Sequence, residues 1–130
     1  MPVQTSIHPW LSVRNGARAL EFYKAAFGAK EAYLLDGGDK GIVARLSIDG
    51  AEFWVADESP SHGNPSPESI GGSPVRMILT VADPDSVFNH AIYAGATEVH
   101  PVSEGHGWRI GRLKDPFGHH WEIGYELKKS

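Results

Sequence analysis

Two histidines, two glutamates, an arginine and two tryptophans (His8, His120, Glu52, Glu122, Arg76, Trp10 and Trp54) are the residues whose types could do chemistry together. An imidazole beside a carboxylate can move a proton, because a partly dry setting displaces the pKa values of such a pair. A guanidinium offers a planar fork of donors to a carboxylate or a similar anion. Indole rings stack on planar or apolar groups. Singly, each of these residues reads better as the solvated side of a one-face sheet. As a set on one surface they read as a ligand pocket, since so much charge is costly to leave unpaired there.

What must position them is an internal repeat. Residues 7–13 (Ile-His-Pro-Trp-Leu-Ser-Val) and 75–81 (Val-Arg-Met-Ile-Leu-Thr-Val) both alternate like half-buried strands. Each precedes a short helix. The first is capped by Asn15, carries Ala19, Phe22, Tyr23, Ala26 and Phe27 on its apolar face, and ends at Gly28. The second is capped by Asp83 with Pro84 at its first position, buries Val87, Phe88, Ala91 and Ile92, and ends at Gly95. Three further strands follow each helix, at about 31–36, 42–48 and 51–56, then about 98–103, 109–114 and 119–125. The register that sets His8 over Arg76 also sets Val13 over Val81, Gly50 over Gly118 and Trp54 over Glu122.

These elements predict an α+β fold of two tandem βαβββ modules, forming a cup-shaped mixed or antiparallel sheet with helices on its outer face. The chain is read as a single domain, with module 1 at about 5–57, a Pro- and Gly-rich linker at 58–74 and module 2 at about 75–127. Strand residues two apart share a face. Ile7, Leu11, Val13, Phe53, Val55, Val75, Met77, Leu79, Val81, Trp121 and Ile123 belong with the helices. The open face is left with His8, Trp10, Ser12, Glu52, Trp54, Arg76, Ile78, Thr80, His120 and Glu122.

Bulk properties exclude several classes. The formal charge is −4, and Lys and Arg form no run before Lys128 and Lys129, which argues against nucleic acid or an anionic membrane as partner. The 130 residues include no cysteine, so disulfide and thiolate chemistry are excluded. No apolar stretch is long enough to span a bilayer, and no secretory signal opens the sequence; the expected location is cytoplasmic. A domain this small gains burial by pairing, which makes a homodimer the expected assembly.

Three segments resemble the vicinal oxygen chelate superfamily of glyoxalase I, bleomycin-resistance proteins, fosfomycin-resistance enzymes and extradiol dioxygenases. They are the run His8 to Ala17, the helix residues Leu20-Glu21-Phe22-Tyr23, and Asp115 to Glu122. The opening and the run Gly111 to Gly118 look most like its PhnB-like branch. The resemblance implies a cup often completed across a dimer, and four metal-ligand positions on the first and last strand of each module. Those positions fall on His8, Trp54, Arg76 and Glu122. His8 and Glu122 match the implied ligand types. Trp54 and Arg76 offer no lone pair to a metal.

Two readings follow. The preferred one is a small-molecule-binding protein with a metal-free pocket, in which Arg76 holds an anionic group while Trp10 and Trp54 stack on its planar part. His8 and Glu122 are then the candidate acid and base. The alternative is a lyase, isomerase or dioxygenase of glyoxalase type, dependent on Zn, Ni, Mn or Fe. Its ligands would be His8, Glu122 and a displaced His120, the last two roughly 7 Å apart along one strand. His106 and Trp108 belong to an expected loop at 103–108 that overhangs the pocket, with Trp108 a candidate ligand contact.

Overall fold

The computed structural model describes residues 2–128. Module 1 comprises β1 (Trp10–Val13), α1 (Gly16–Phe27), β2 (Lys30–Asp36), β3 (Ile42–Ile48) and β4 (Ala51–Asp57). A connecting segment with the short helix α2 (Pro67–Ile70) leads to module 2. This holds β5 (Arg76–Thr80), α3 (Pro84–Ala94), β6 (Thr97–Gly105), β7 (Trp108–Lys114) and β8 (His120–Glu126). Each module forms its own four-stranded mixed sheet, ordered β1-β4-β3-β2 and β5-β8-β7-β6. The parallel pairs β1/β4 and β5/β8 obey one offset, which carries Trp10 opposite Trp54 onto Ile78 opposite Glu122. The tandem βαβββ expectation therefore holds down to the register of the inner strands.

The helix ends follow from their caps. Asn15 Oδ1 accepts from the Arg18 N–H at 3.1 Å, and Gly28 closes α1 in the left-handed conformation at φ 68°. Asp83 accepts from the Ser86 N–H at 3.2 Å, with Pro84 at the helix start, where its missing N–H costs nothing. The two helices pack on each other, and the core runs between the modules. It holds Leu11, Val13, Phe53 and Val55 from one sheet and Met77, Leu79, Trp121 and Ile123 from the other, all buried.

One carboxylate fastens the modules together. Asp115 accepts the Tyr23 hydroxyl at 2.5 Å, the Trp121 indole N–H at 2.9 Å, and the backbone N–H groups of Phe117 and His119 at 2.9 and 3.0 Å. Burial, and then the charge of Asp115, push the Tyr23 phenol well above the usual tyrosine range, so it remains a donor. His119 is also buried and donates from Nε2 to the Ser12 carbonyl at 2.9 Å, a second tie across the modules.

Several expectations require correction. The first strand starts at Trp10, not at residue 7, and Ile7 is 94% exposed. Pro9 has no N–H to continue the ladder; its carbonyl receives the Trp54 N–H at 2.9 Å and pairing begins there. Val75 likewise precedes β5 and stands exposed. Ser12, expected on the open face, is buried where His119 covers it. Residues 103–108 are not a loop: β6 and β7 continue to Gly105 and Trp108, joined by the two-residue turn His106-Gly107. The segment after β4 is packed, with Ser66 and Pro67 buried and the Glu58 carboxylate accepting the Ser66 N–H at 2.8 Å. Among the described residues no helix is long and apolar enough to cross a membrane.

Candidate functional site

Each sheet turns one face to the core and leaves the other open. On module 1 that open face is an aromatic wall. Trp10 and Trp54 sit opposite each other on β1 and β4 and stack with centroids 5.9 Å apart at 22°. Tyr33 meets Trp54 edge-on at 6.0 Å. The Arg45 guanidinium lies 5.3 Å from the centre of the Trp54 ring and pairs with Glu52 at 3.3 Å. Tyr33, Arg45 and Trp54 occupy one row across β2, β3 and β4.

On module 2 the open face is charged. Arg76, His120 and Lys114 form one cross-strand row, and Ile78, Glu122 and Arg112 the next. Arg76 reaches diagonally to Glu122, Nε to Oε1 at 3.1 Å. Burial, and then the positive charges of Arg112 and Lys114, hold the His120 imidazole below its ordinary pKa. Its Nδ1 is buried without a hydrogen-bond partner among the described residues. Trp108 shares the alternation of Ile110 and Arg112 and lies at the far end of this face, half-buried.

His8 lies on the exposed segment before β1. With Glu52, Phe53, Arg76, Met77 and Trp121 it borders a mostly apolar groove of about 480 Å³ between the modules, where the segment before β1 and the start of β4 meet β5. The structure thus brings Trp10, Glu52 and Trp54 together on one wall, and Arg76, His120 and Glu122 together on another. Within a chain it does not assemble all seven residues around one hollow, because the two sheets are not joined edge to edge.

Within one chain the donor set does not assemble a site for a divalent metal. Among the described residues no three His, Asp or Glu side chains converge closely enough to hold an ion. Glu122, one of the two matching ligands, is engaged by Arg76, a permanent cation that opposes a metal and competes for the carboxylate. The remaining implied positions are filled by Trp54 and Arg76, which cannot coordinate.

Sequence reasoning missed Tyr33, Arg45 and Arg112. Tyr33 lies on β2, whose pairing with β3 shifts between Glu31 and Tyr33, whereas Arg45 and Arg112 lie on β3 and β7, whose pairings with β4 and β8 run without a shift. Alternation alone cannot be carried through a bulge. Arg112 could still have been found, since the Asp115-Pro116-Phe117-Gly118 turn fixes β7 against β8.

Residues 5–123 match the family model described as "Glyoxalase/Bleomycin resistance protein/Dioxygenase superfamily". An uncharacterized protein of Mycobacterium bovis, Mb0911c, is 40% identical over 132 residues, covering 98% of this chain and 87% of its own. Among solved structures, a gene product of Arabidopsis thaliana is 32% identical with a TM-score of 0.70, covering 95% of this chain and 98% of that one. TioX from Micromonospora sp. ML1 is 26% identical with a TM-score of 0.71, covering 94% of this chain and 100% of that one.

Proposed function

The chain belongs to the glyoxalase/bleomycin resistance protein/dioxygenase superfamily, and on that premise we propose that it is a metal-free small-molecule-binding protein whose cup is completed by a second copy. The observation that carries this reading is the pair of unfinished walls. Strands β1 and β5 each have a neighbour on one side only. Beside them Trp10 is 49% exposed, Ile78 60% and Val75 58%. Apolar surface of this kind along unpaired strands is what a second chain covers. If β1 of one protomer meets β5 of its partner, the aromatic wall of one faces the charged wall of the other. A twofold axis then yields two identical cups.

Within the superfamily we place the chain in the PhnB-like branch, on the opening His8 to Ala17 and the run Gly111 to Gly118. The ligand this cup suits has a planar or apolar body, stacked on Trp10 and Trp54, and an anionic group drawn to the cationic wall. His120 and Glu122 share that wall, and a neutral imidazole there can accept a proton from a bound ligand.

Sedimentation equilibrium tests the assembly: the expected mass is twice the 14.1 kDa of one chain. A monomer at micromolar concentration counts against the reading. Elemental analysis of protein purified without chelators tests the pocket, with Zn, Ni, Mn and Fe expected well below one per chain. Stoichiometric metal that disappears in His8→Ala or Glu122→Ala overturns the metal-free site in favour of a glyoxalase- or dioxygenase-type enzyme.

A further inference from the structure

Three arginines stand on the two open faces; Arg45 and Arg112 each bury an Nε that makes no hydrogen bond among the described residues, but two of the three have a carboxylate partner. Arg45 is paired with Glu52 and Arg76 with Glu122. Arg112 has no ion pair among the described residues, and its Nε is buried with no hydrogen-bond partner. The side chain is half-buried in the middle of the module 2 sheet, opposite Glu122 on one side and His100 on the other. A guanidinium nitrogen buried without an acceptor is unfavourable. The carboxylate across from it is the one already committed to Arg76.

Next to Arg112 is a hollow of about 310 Å³, bordered by Val99, His100, Ile110, Gly111 and Glu122. The surrounding charge favours an anion, because Arg76, Arg112 and Lys114 share the face with the single carboxylate Glu122 in the adjoining rows. Ile110 borders the hollow and lies opposite Gly124 of β8, while Ile78 of β5 lies opposite Glu122 on the other side of that strand.

We propose that this hollow is an oxyanion subsite in which Arg112 takes the carboxylate or phosphonate group of the ligand with both arms of its guanidinium. The anchor of the cup is then Arg112, and Arg76 orients Glu122. The ligand is an amphiphilic acid: its head sits between β6 and β8, and its planar body lies over Ile110 and Ile78 towards the tryptophans. That last step rests on the cup reading above; the oxyanion subsite itself lies wholly within module 2.

Calorimetric titration with inorganic phosphate, phenylphosphonate, benzoate and the neutral benzamide separates the parts. Phosphate reports on the subsite alone. Phenylphosphonate and benzoate distinguish the two kinds of head group, and benzamide reports on the aromatic wall without the charge. Arg112→Gln is expected to weaken phosphate and both aryl acids by about tenfold or more, the scale of losing hydrogen bonds to a charged group, and to leave benzamide unchanged. Arg112→Lys restores the charge but not the fork and recovers part of the loss. Arg76→Gln costs less than Arg112→Gln. In the wild type, the Arg112 Nε–H resonance shifts on adding phosphate.

The proposal is overturned if Arg112→Gln binds the anions like the wild type, if Arg76→Gln loses as much, or if no anion binds the wild type saturably. Failure of the cup reading has a different signature. The aryl acids then bind no better than phosphate, Trp10→Ala changes nothing and the chain sediments as a monomer, while phosphate still depends on Arg112.

Discussion

Replacing Tyr23 by Phe removes one oxygen from the centre of the molecule and leaves the packing shape intact. That hydroxyl is buried and donates to Asp115 Oδ2 at 2.5 Å. A hydrogen bond to a charged acceptor is worth about 1.5–3 kcal/mol net. Asp115 keeps three donors in the variant, from Trp121, Phe117 and His119, so its carboxylate is not stranded. The expected loss is therefore that of one bond, with a Tm drop of roughly 5–15 °C for a domain of this size.

Titration of the phenol supplies an independent check. Its folded-state pKa is raised well above 10.0, while the unfolded phenol ionises near that value. The unfolded state therefore releases its proton first. The wild type loses stability as pH climbs from about 10 towards the folded value, and Tyr23→Phe lacks this contribution. Urea unfolding from pH 7 to 11, followed by tryptophan fluorescence, measures both effects. A Tyr23→Phe stability within about 0.5 kcal/mol of wild type at pH 7, with the same alkaline slope, would refute the assignment of Asp115 and Tyr23 as the fastening between modules.

Three further outcomes are expected. Asp57 accepts the N–H groups of Gly16 and Ile42, each at 2.7 Å, so Asp57→Ala leaves both unpartnered and costs about 2–4 kcal/mol by chemical denaturation. Arg76→Gln breaks an ion pair whose arginine side chain is 49% exposed, and its stability change should stay within about 1 kcal/mol in the same assay. In NMR titrations the His120 ring of the free protein should protonate below its ordinary value of 6.5, and Arg112→Gln should move the midpoint upward by removing an adjacent cation. Because the folded pKa is depressed, the His120 contribution to stability is full above pH 6.5 and falls as pH drops through the folded value.

How much of this was legible beforehand depended on whether the controlling interaction was local. Asn15, Gly28, Asp83, Pro84 and Gly95 mark helix ends through bonds within a few residues, and each does so in the structure. The inner faces of β4 and β8 were equally plain, because Phe53, Val55, Trp121 and Ile123 alternate without interruption. Asp115 looked like a turn residue. Its second role, as acceptor for a tyrosine 92 positions away, is a tertiary fact with no local trace. Tyr33 was hidden for a different reason: the bulge in β2 shifts the pairing that aligns it with Arg45 and, through Arg45, with Trp54. Pro9 was misread as part of a strand because apolar alternation continues through residues that cannot join the ladder.

The four lateral edges of the two sheets are unequal, and this bears on how the protein can associate. The outer strands β2 and β6 are kinked by bulges and carry Lys30, Glu31 and Asp36 on one, Glu98, Pro101 and Glu104 on the other. The inner strands β1 and β5 pair without a register shift, and Arg76 is their only charged residue. Kinks, charges and a proline deter an approaching strand, whereas a straight, uncharged border admits one. The inner borders are accordingly the less guarded of the four. If a twofold axis joins both inner borders of two copies at once, as proposed above, only the guarded outer borders are left free.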